Sequence, residues 1–309
     1  MGNRSSKGSL RPLLIRTTNS PIRDYRIESN LHEDYVVLEL STSSIMQFSS
    51  KGFALHSLTS NTYVCDETNR CIRVFSSEFH CLFIFPVTKS LHHPFGICVA
   101  NDRVYITEYY EYAISVFTLE GERITKCSFG YTNNPKTNIA FPSGITVDDE
   151  GNIYICDGFN HRIFILTHYD SGYCEFARSN LTQPRDIKLH KDTIIVLDVL
   201  HQHKSVYADI MGLKIFSQQE ELLKEIELDL NSIQFFDVTP NSNYIICSSH
   251  YIKLISNNGE VLETFEKNIE ISNTFHPGIV FDKKPMEIVG LCSSSGKPVS
   301  LFRFRIKDQ

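Results

Sequence analysis

The segment at residues 141–166 reads FPSGITVDDEGNIYICDGFNHRIFIL and constrains the fold more than any other part of the chain. It contains three short pieces, at 144–147, 152–156 and 162–166, whose β-branched and aromatic residues are typical of β-strands. Two turn segments separate these pieces. One ends in a glycine suited to a hairpin turn, and the other carries Asp and Asn side chains that can bond their own backbone. The segment is therefore predicted to form an antiparallel meander.

This meander resembles one NHL repeat. The resemblance rests on PxGI at 142–145, DxxGNIYI at 148–155 and DxxNHRI at 157–163. A meander with an apolar surface on each side cannot bury both surfaces by itself, so such units must stack on one another. The resemblance implies a β-propeller made of several copies of the repeat.

Related segments recur along the chain at a period of about 45 residues, which is typical of propeller repeats. Aligned on the middle strand, the copies centre on Cys65, Thr107, Cys156, Leu197, Cys247 and Gly290. Four strands per repeat at this spacing predict an all-β fold, namely a six-bladed β-propeller of four-stranded antiparallel blades. The 41% hydrophobic and 21% charged composition of the 309 residues supports a large core and excludes a disordered chain.

The two ends of the chain are predicted to meet in one sheet. The sequence stops shortly after the β-prone residues 299–306, so the last blade lacks its outer strand, while the β-prone residues 34–40 are unassigned. Pairing these two segments would close the ring and hide an exposed strand edge. The predicted domains are a flexible basic arm at 1–33 and the propeller at 34–309.

The arm has the features of a membrane tether. It opens with MGNRSS, which fits the N-myristoylation pattern with Gly2 as acceptor, and it contains Arg4, Lys7, Arg11 and Arg16. One acyl chain binds a membrane only marginally, so these cations would supply the second attraction, to anionic lipid. The alternative is a leader without lipid. The absence of a secretory segment and the odd count of nine cysteines predict a cytoplasmic protein with free thiols.

Enzymatic chemistry is one alternative for such a fold. Lactonase-like and lyase-like propellers, which the fold resembles, need several metal ligands at the channel mouth. The positions assigned there are Phe53, Phe95, Ser143, Arg185, Phe236 and Gly278. They do not form a ligand shell, and His92, His93, His201, His203 and His276 are expected to be solvated. We therefore predict no catalytic residue, no metal and no cofactor.

RNA binding is the second alternative, because some NHL propellers bind RNA through a basic face. The net charge of −6 and the mixed charges of the predicted turns argue against nucleic acid. Asp66, Asp157 and Asp198, which recur in register, are interpreted as turn formers.

Aromatic residues in two neighbouring turns favour a protein partner instead. The predicted contact residues are Tyr109, Tyr110, Tyr112, Phe159, Glu108, Glu111 and Arg162. Exposed tyrosines rimmed by charges are typical of protein interfaces, although the same rings could pack on adjacent blades. The prediction is a monomeric, non-enzymatic interaction or scaffold module of unknown partner. Similar animal proteins join the propeller to a RING domain and a coiled coil, neither of which the sequence shows, so ligase activity does not carry over.

Overall fold

The computed structural model describes thirteen stretches of the chain, and all structural statements below refer to them. They are residues 13–14, 35–39, 50–77, 80–86, 91–130, 138–167, 172–201, 210–228, 233–248, 251–266, 280–283, 286–292 and 300–305. Gly2 and the rest of the predicted arm lie outside them, apart from Leu13–Leu14. Among the described residues, no helix is long and apolar enough to cross a membrane.

The described chain consists of β-strands and one short 3₁₀ helix. Two strands come first, β1 (Leu13–Leu14) and β2 (Tyr35–Glu39). Blade 1 contains β3 (Ser50–Leu55), β4 (Thr62–Asp66), β5 (Cys71–Phe75) and β6 (Cys81–Phe85). Blade 2 contains β7 (Pro94–Ala100), β8 (Arg103–Glu108), β9 (Ala113–Thr118) and β10 (Arg123–Ser128). Blade 3 contains β11 (Pro142–Val147), β12 (Ile153–Asp157), the 3₁₀ helix (Gly158–Asn160), β13 (Arg162–Thr167) and β14 (Gly172–Phe176).

The later sheets follow the same order along the chain. Blade 4 contains β15 (Asp186–His190), β16 (Thr193–His201), β17 (Ile210–Ser217) and β18 (Leu222–Leu228). Blade 5 contains β19 (Ile233–Val238), β20 (Tyr244–Ser248), β21 (Tyr251–Ile255) and β22 (Val261–Glu266). The last strands are β23 (Val280–Lys283), β24 (Met286–Cys292) and β25 (Ser300–Arg305).

The prediction of six four-stranded antiparallel blades is wrong. The structure has five four-stranded blades, and the remaining sheet has five strands in the order β1-β2-β25-β24-β23. Its outer pair is parallel, with Leu13 opposite Val36, and β2 is antiparallel to β25, with Val37 opposite Phe302. The pairing of the two chain ends was expected. The added strand was missed because two leucines in a polar stretch are too short to show a strand period.

An apolar layer lies between successive blades. Blades 1 and 2 bury Tyr63, Ile72, Ile106 and Phe117 between them, and similar layers join blades 2 to 3, 3 to 4, and 4 to 5. The middle strands are covered on both faces, which explains why they read as continuous hydrophobic runs. The fourth strands form the rim, where residues such as Leu82 are exposed.

Glycine determines how closely the inner strands of blades 1 to 3 approach the next blade. A Cβ on Gly52 would lie 2.2 Å from the Phe95 carbonyl oxygen, and one on Gly96 would lie 2.1 Å from the Ser143 carbonyl oxygen. A Cβ on Gly144 would lie 2.6 Å from the Asp186 Cα. The backbones are close enough for the Gly144 N–H to donate to the carbonyl of Arg185 at 3.0 Å. No side chain larger than hydrogen fits at these positions.

Candidate functional site

Six aromatic rings from blades 2 and 3 form one contiguous group beside the channel, hereafter the aromatic cluster. Its members are Phe95, Tyr109, Tyr110, Tyr112, Phe141 and Phe159. Tyr109 lies at its centre, with ring centroids 5.4 Å from Phe95, 5.1 Å from Tyr110 and 5.0 Å from Phe141. Phe141 extends the cluster to Tyr112 at 5.3 Å and to Phe159 at 5.9 Å. These centroid distances are typical of favourable aromatic pairs.

The cluster divides into a packed base and an exposed top. Tyr110 is 57% exposed and Phe159 is 66% exposed, whereas the other four rings are half-buried. Burial raises the pKa of Tyr109, and the nearby Arg185 opposes that rise. The sequence left open whether these rings are exposed or pack on adjacent blades. Each alternative describes part of the cluster, since four rings pack on their neighbours while two face solvent.

The loops that carry these rings adopt unusual backbone conformations. His93, Tyr112, Phe141 and His161 all have positive φ, between 52° and 58° for three of them and 49° for Tyr112. Such values are uncommon for residues with bulky side chains and are found where the surrounding structure holds them. His93 also packs its ring edge-on against Tyr110, with centroids 4.6 Å apart. The rings are thus presented by a constrained surface.

Buried carboxylates and cations hold these loops in place. Glu108 is fully buried, accepts the backbone N–H of His92 at 2.9 Å and contacts Lys126 Nζ at 3.2 Å. Arg162 is also fully buried, donates from Nε to Asp157 at 2.9 Å and forms an ion pair with Glu175. Glu108 and Arg162 were predicted as contact residues, but they lie in the interior and support the loops from beneath.

Glu111 is the predicted charged contact that does lie at the surface. Its side chain is partly exposed, and its Oε1 lies 3.3 Å from Nδ1 of His92. His93 lies 3.4 Å from Glu67 through Nδ1. His203 and His276 fall outside the described residues.

A buried acid in the second strand, at its last residue in blades 1 to 3 and three residues before its end in blade 4, recurs in blades 1 to 4. The pairs are Asp66 with Arg73, Glu108 with Lys126, Asp157 with Arg162, and Asp198 with Lys214. In blades 2 to 4 the acid accepts backbone N–H groups from the loop that precedes its own inner strand, as Asp198 does from Thr182 and Gln183. The three aspartates were interpreted as turn formers, and Asp66 does accept the N–H of Asn69. Their larger role is to bind a loop to the blade.

The central channel opens beside the aromatic cluster into a cavity of about 290 Å³. Phe95 belongs to both the cluster and the cavity lining. Three lining residues of blade 4 carry charge, namely Arg185, Asp186 and Lys188, whereas blades 1 to 3 contribute glycines and apolar side chains. Among the lining residues that the structure describes, charge is therefore confined to the blade 4 side.

The charged side of the channel has perturbed ionisation. Burial raises the pKa of Asp186 and raises that of Asp237 to about 6, while Lys188 opposes both rises. Burial would lower the pKa of Lys188, but Asp186 and Asp237 outweigh it, so the net pKa rises and the ammonium stays charged. These residues form a mutually compensating group.

The structure gives no sign of a metal centre within the stretches it describes. There, no group of three or more His, Cys, Asp or Glu side chains converges as metal ligands would. Burial raises the pKa of the Cys98 and Cys156 thiols. A thiol with a raised pKa is a poor nucleophile at neutral pH.

Several residues of the site were not found from the sequence. Phe141 was assigned only to the repeat, and Lys188 and Asp237 were not singled out. One signal was available: blade 4 reads PRDI at 184–187 where blades 2 and 3 read PFGI and PSGI. The replacement of a packing glycine by a charged residue indicates that this position has another use.

These features define a β-propeller with a rigid aromatic surface at its channel mouth. A family model of the NHL repeat matches residues 140–166, which contain the first three strands of blade 3. Together with the propeller architecture, this match of one repeat supports an NHL-type β-propeller. A comparison with curated protein sequences finds no match.

Solved structures of similar fold have diverse activities. The inactive virginiamycin B lyase from Staphylococcus aureus with quinupristin aligns with a TM-score of 0.61 at 14% identity, over 88% of this chain and 100% of that one. A gluconolactonase from Xanthomonas campestris aligns with a TM-score of 0.64 at 13% identity, over 84% and 87%. A chain of the nidogen/laminin complex aligns with a TM-score of 0.56 at 15% identity, over 70% and 80%. At these identities the likeness concerns the fold alone.

Proposed function

We propose that this protein is a non-enzymatic binding module that contacts a protein partner through the aromatic cluster. The observation that carries the proposal is the continuity of six rings with Tyr110 and Phe159 exposed at the top. Aromatic residues are enriched at the centres of protein interfaces, where they supply much of the binding free energy. The solved nidogen/laminin complex offers a precedent for a protein partner on a similar fold.

The rigidity of the surface supports this use. The loops carry residues at positive φ and are attached to buried ion pairs, so little conformational freedom is left to lose on binding. Binding that orders few side chains retains more of its contact free energy. Glu111 at the rim adds a charge that favours a complementary partner surface.

The proposal is tested by replacing the two exposed rings. We expect the Tyr110→Ala/Phe159→Ala double variant to lose partners that wild type captures in quantitative crosslinking from cells, because interface aromatics cost about 2 kcal/mol or more when truncated. Leu58→Ala is the matched control, since Leu58 is 83% exposed in the turn between β3 and β4. That turn lies at the opposite end of the blade. If both variants recover every partner equally, the aromatic cluster is not the binding surface.

The enzyme alternative makes a different prediction. Lactonase-like and lyase-like relatives of the fold are enzymes, so the fold does not separate the two classes. A module that only binds protein should contain no stoichiometric metal when purified from cells. Elemental analysis that finds one calcium or zinc ion per chain would favour the enzyme.

The membrane tether remains a prediction from the sequence. Acylation of Gly2 would hold the protein at an anionic membrane through one acyl chain and the cations of the arm. We expect intact-mass spectrometry of protein made in a eukaryotic cell to show loss of Met1 and a myristoyl increment. An unmodified or acetylated terminus would remove the tether and leave the proposed binding surface unaffected.

A further inference from the structure

The channel cavity has two different walls. Gly52, Gly96 and Gly144 bring bare backbone to one side, where neighbouring inner strands touch. Arg185 and Lys188 face the cavity from blade 4, and Phe95 and Phe235 contribute aromatic surface. An apolar space with two cations on one side has the composition of a site for a small amphipathic anion.

The hydrogen-bonding capacity of the charged lining residues is unevenly used. Asp186 is already occupied, because its carboxylate accepts the backbone N–H groups of Ile187, at 2.9 Å, and of Phe236. Among the described residues, neither the Arg185 guanidinium nor the Lys188 ammonium makes a side-chain hydrogen bond or an ion pair within 4 Å. The donors still available in the cavity are therefore cationic, and they call for an anionic acceptor.

The charge balance limits that acceptor to a single negative charge. Arg185 and Lys188 supply two positive charges, and Asp186 and Asp237 surround Lys188 with two negative ones. A monoanion placed against Arg185 pairs with a guanidinium that has no ion pair within 4 Å among the described residues, whereas a doubly charged phosphate would be repelled more strongly by the two acids. A planar carboxylate matches the fork of a guanidinium.

The volume limits the size of the ligand. A cavity of about 290 Å³ corresponds to about ten water volumes at ~30 Å³ each. This holds a small molecule and is too small for a folded peptide segment. We propose that the channel mouth binds a small carboxylate with an apolar body, with its carboxylate on Arg185 and Lys188 and its apolar part against Phe95 and Phe235. This site shares Phe95 with the aromatic cluster but does not include the exposed rings Tyr110 and Phe159.

The experiment compares a carboxylate with its neutral amide on the full chain. We expect 3-phenylpropionate to bind at millimolar concentration in ligand-observed NMR or calorimetry, and 3-phenylpropionamide to bind about tenfold more weakly, since a charged hydrogen bond is worth about 1.5–3 kcal/mol. Arg185→Met should reduce carboxylate affinity by about tenfold and leave amide affinity unchanged. Arg185 is exposed, so this variant should fold normally.

Two further variants distinguish binding at Arg185 from binding elsewhere on the chain. Arg178→Met removes an exposed arginine that pairs with Glu175 on the blade 3 rim, and it should leave both affinities unchanged. The Tyr110→Ala/Phe159→Ala variant should still bind the carboxylate, so loss of the partner surface does not remove this site. Equal binding of acid and amide, tighter binding of phenyl phosphate, or no binding of the carboxylate would each overturn the proposal.

Discussion

Blade 3 and blade 5 have the same four-stranded architecture but use equivalent positions differently. In blade 3, Gly144 comes directly before Ile145, the residue that pairs with Ile155. The equivalent position of blade 5 is Phe235, which comes directly before Phe236. Asp157 ends the second strand of blade 3 opposite Pro142, whereas Ser248 ends that of blade 5 opposite Ile233. The blade that matches the NHL repeat uses these positions for packing and loop attachment.

The difference between the two blades shows which positions stabilise the propeller and which ones supply side chains to the channel. A glycine lets the next inner strand approach, and a buried acid with its cation ties a loop to the blade. Blades 4 and 5 replace the glycine with Asp186 and Phe235, whose side chains line the channel. Departure from the repeat pattern therefore coincides with the charged lining of blade 4 and with Phe235 of blade 5.

The largest expected effect comes from breaking the ion pair of Asp157 in blade 3, at a position where blade 5 has Ser248. Arg162→Met leaves the buried Asp157 without its cation, and we expect it to lower the free energy of unfolding by about 3–5 kcal/mol. Urea denaturation measures the change. Asp157→Asn/Arg162→Met should cost less than the single variant, because no charge is left uncompensated. A control, Arg178→Met, should cost less than about 0.5 kcal/mol. A single variant as stable as the control would contradict this account.

A smaller loss is expected when the close approach of blade 3 to blade 4 is blocked. Gly144→Ala places a Cβ 2.6 Å from the Asp186 Cα, a backbone atom that cannot rotate away. We expect a cost of about 2–3 kcal/mol. Gly130→Ala is the matched control, because no atom lies within 4 Å of its added Cβ. Thermal unfolding followed by circular dichroism compares the two, and equal melting temperatures would show that the strands can separate freely.

The carboxylate of blade 5 should make stability depend on pH. Burial raises the pKa of Asp237 from 3.8 to about 6, so the folded protein binds a proton there that the unfolded chain has released. This contribution is present at low pH and is lost as the pH rises through about 6. Asp237→Asn should therefore gain about 1–2 kcal/mol relative to wild type between pH 5 and pH 8. A stability difference that is constant across this range would contradict the raised pKa.

The smallest effect is expected from restoring the missing acid of blade 5. In strand register, Lys253 of blade 5 lies opposite Ile246 just as Lys214 of blade 4 lies opposite Val196. Blade 5 therefore keeps a cation at the position from which Lys214 binds Asp198 in blade 4. A double-mutant cycle of Ser248→Asp and Lys253→Met should show favourable coupling of about 1 kcal/mol. Zero coupling would mean that blade 5 does not provide the geometry of blade 4.

The sequence by itself determined the repeat, the β-strands of each blade and the pairing of the two chain ends. These features depend on local composition and on spacing along the chain, and both can be read directly. The same local information could not reveal the five-stranded sheet, since β1 is recognisable only when it lies beside β2. It also placed Glu108 and Arg162 at the surface, because charge predicts exposure unless a buried partner is known.

Only the tertiary structure decided which residues share a site. Phe95 lies in β7 and Tyr109 and Phe141 lie in two separate loops, and their rings meet because two blades pack side by side. Asp186, Lys188 and Asp237 interact across the boundary between blades 4 and 5. Contacts between blades depend on the rotation of each sheet relative to the next, which sequence spacing does not specify. The packing of whole blades therefore creates the channel and its chemistry.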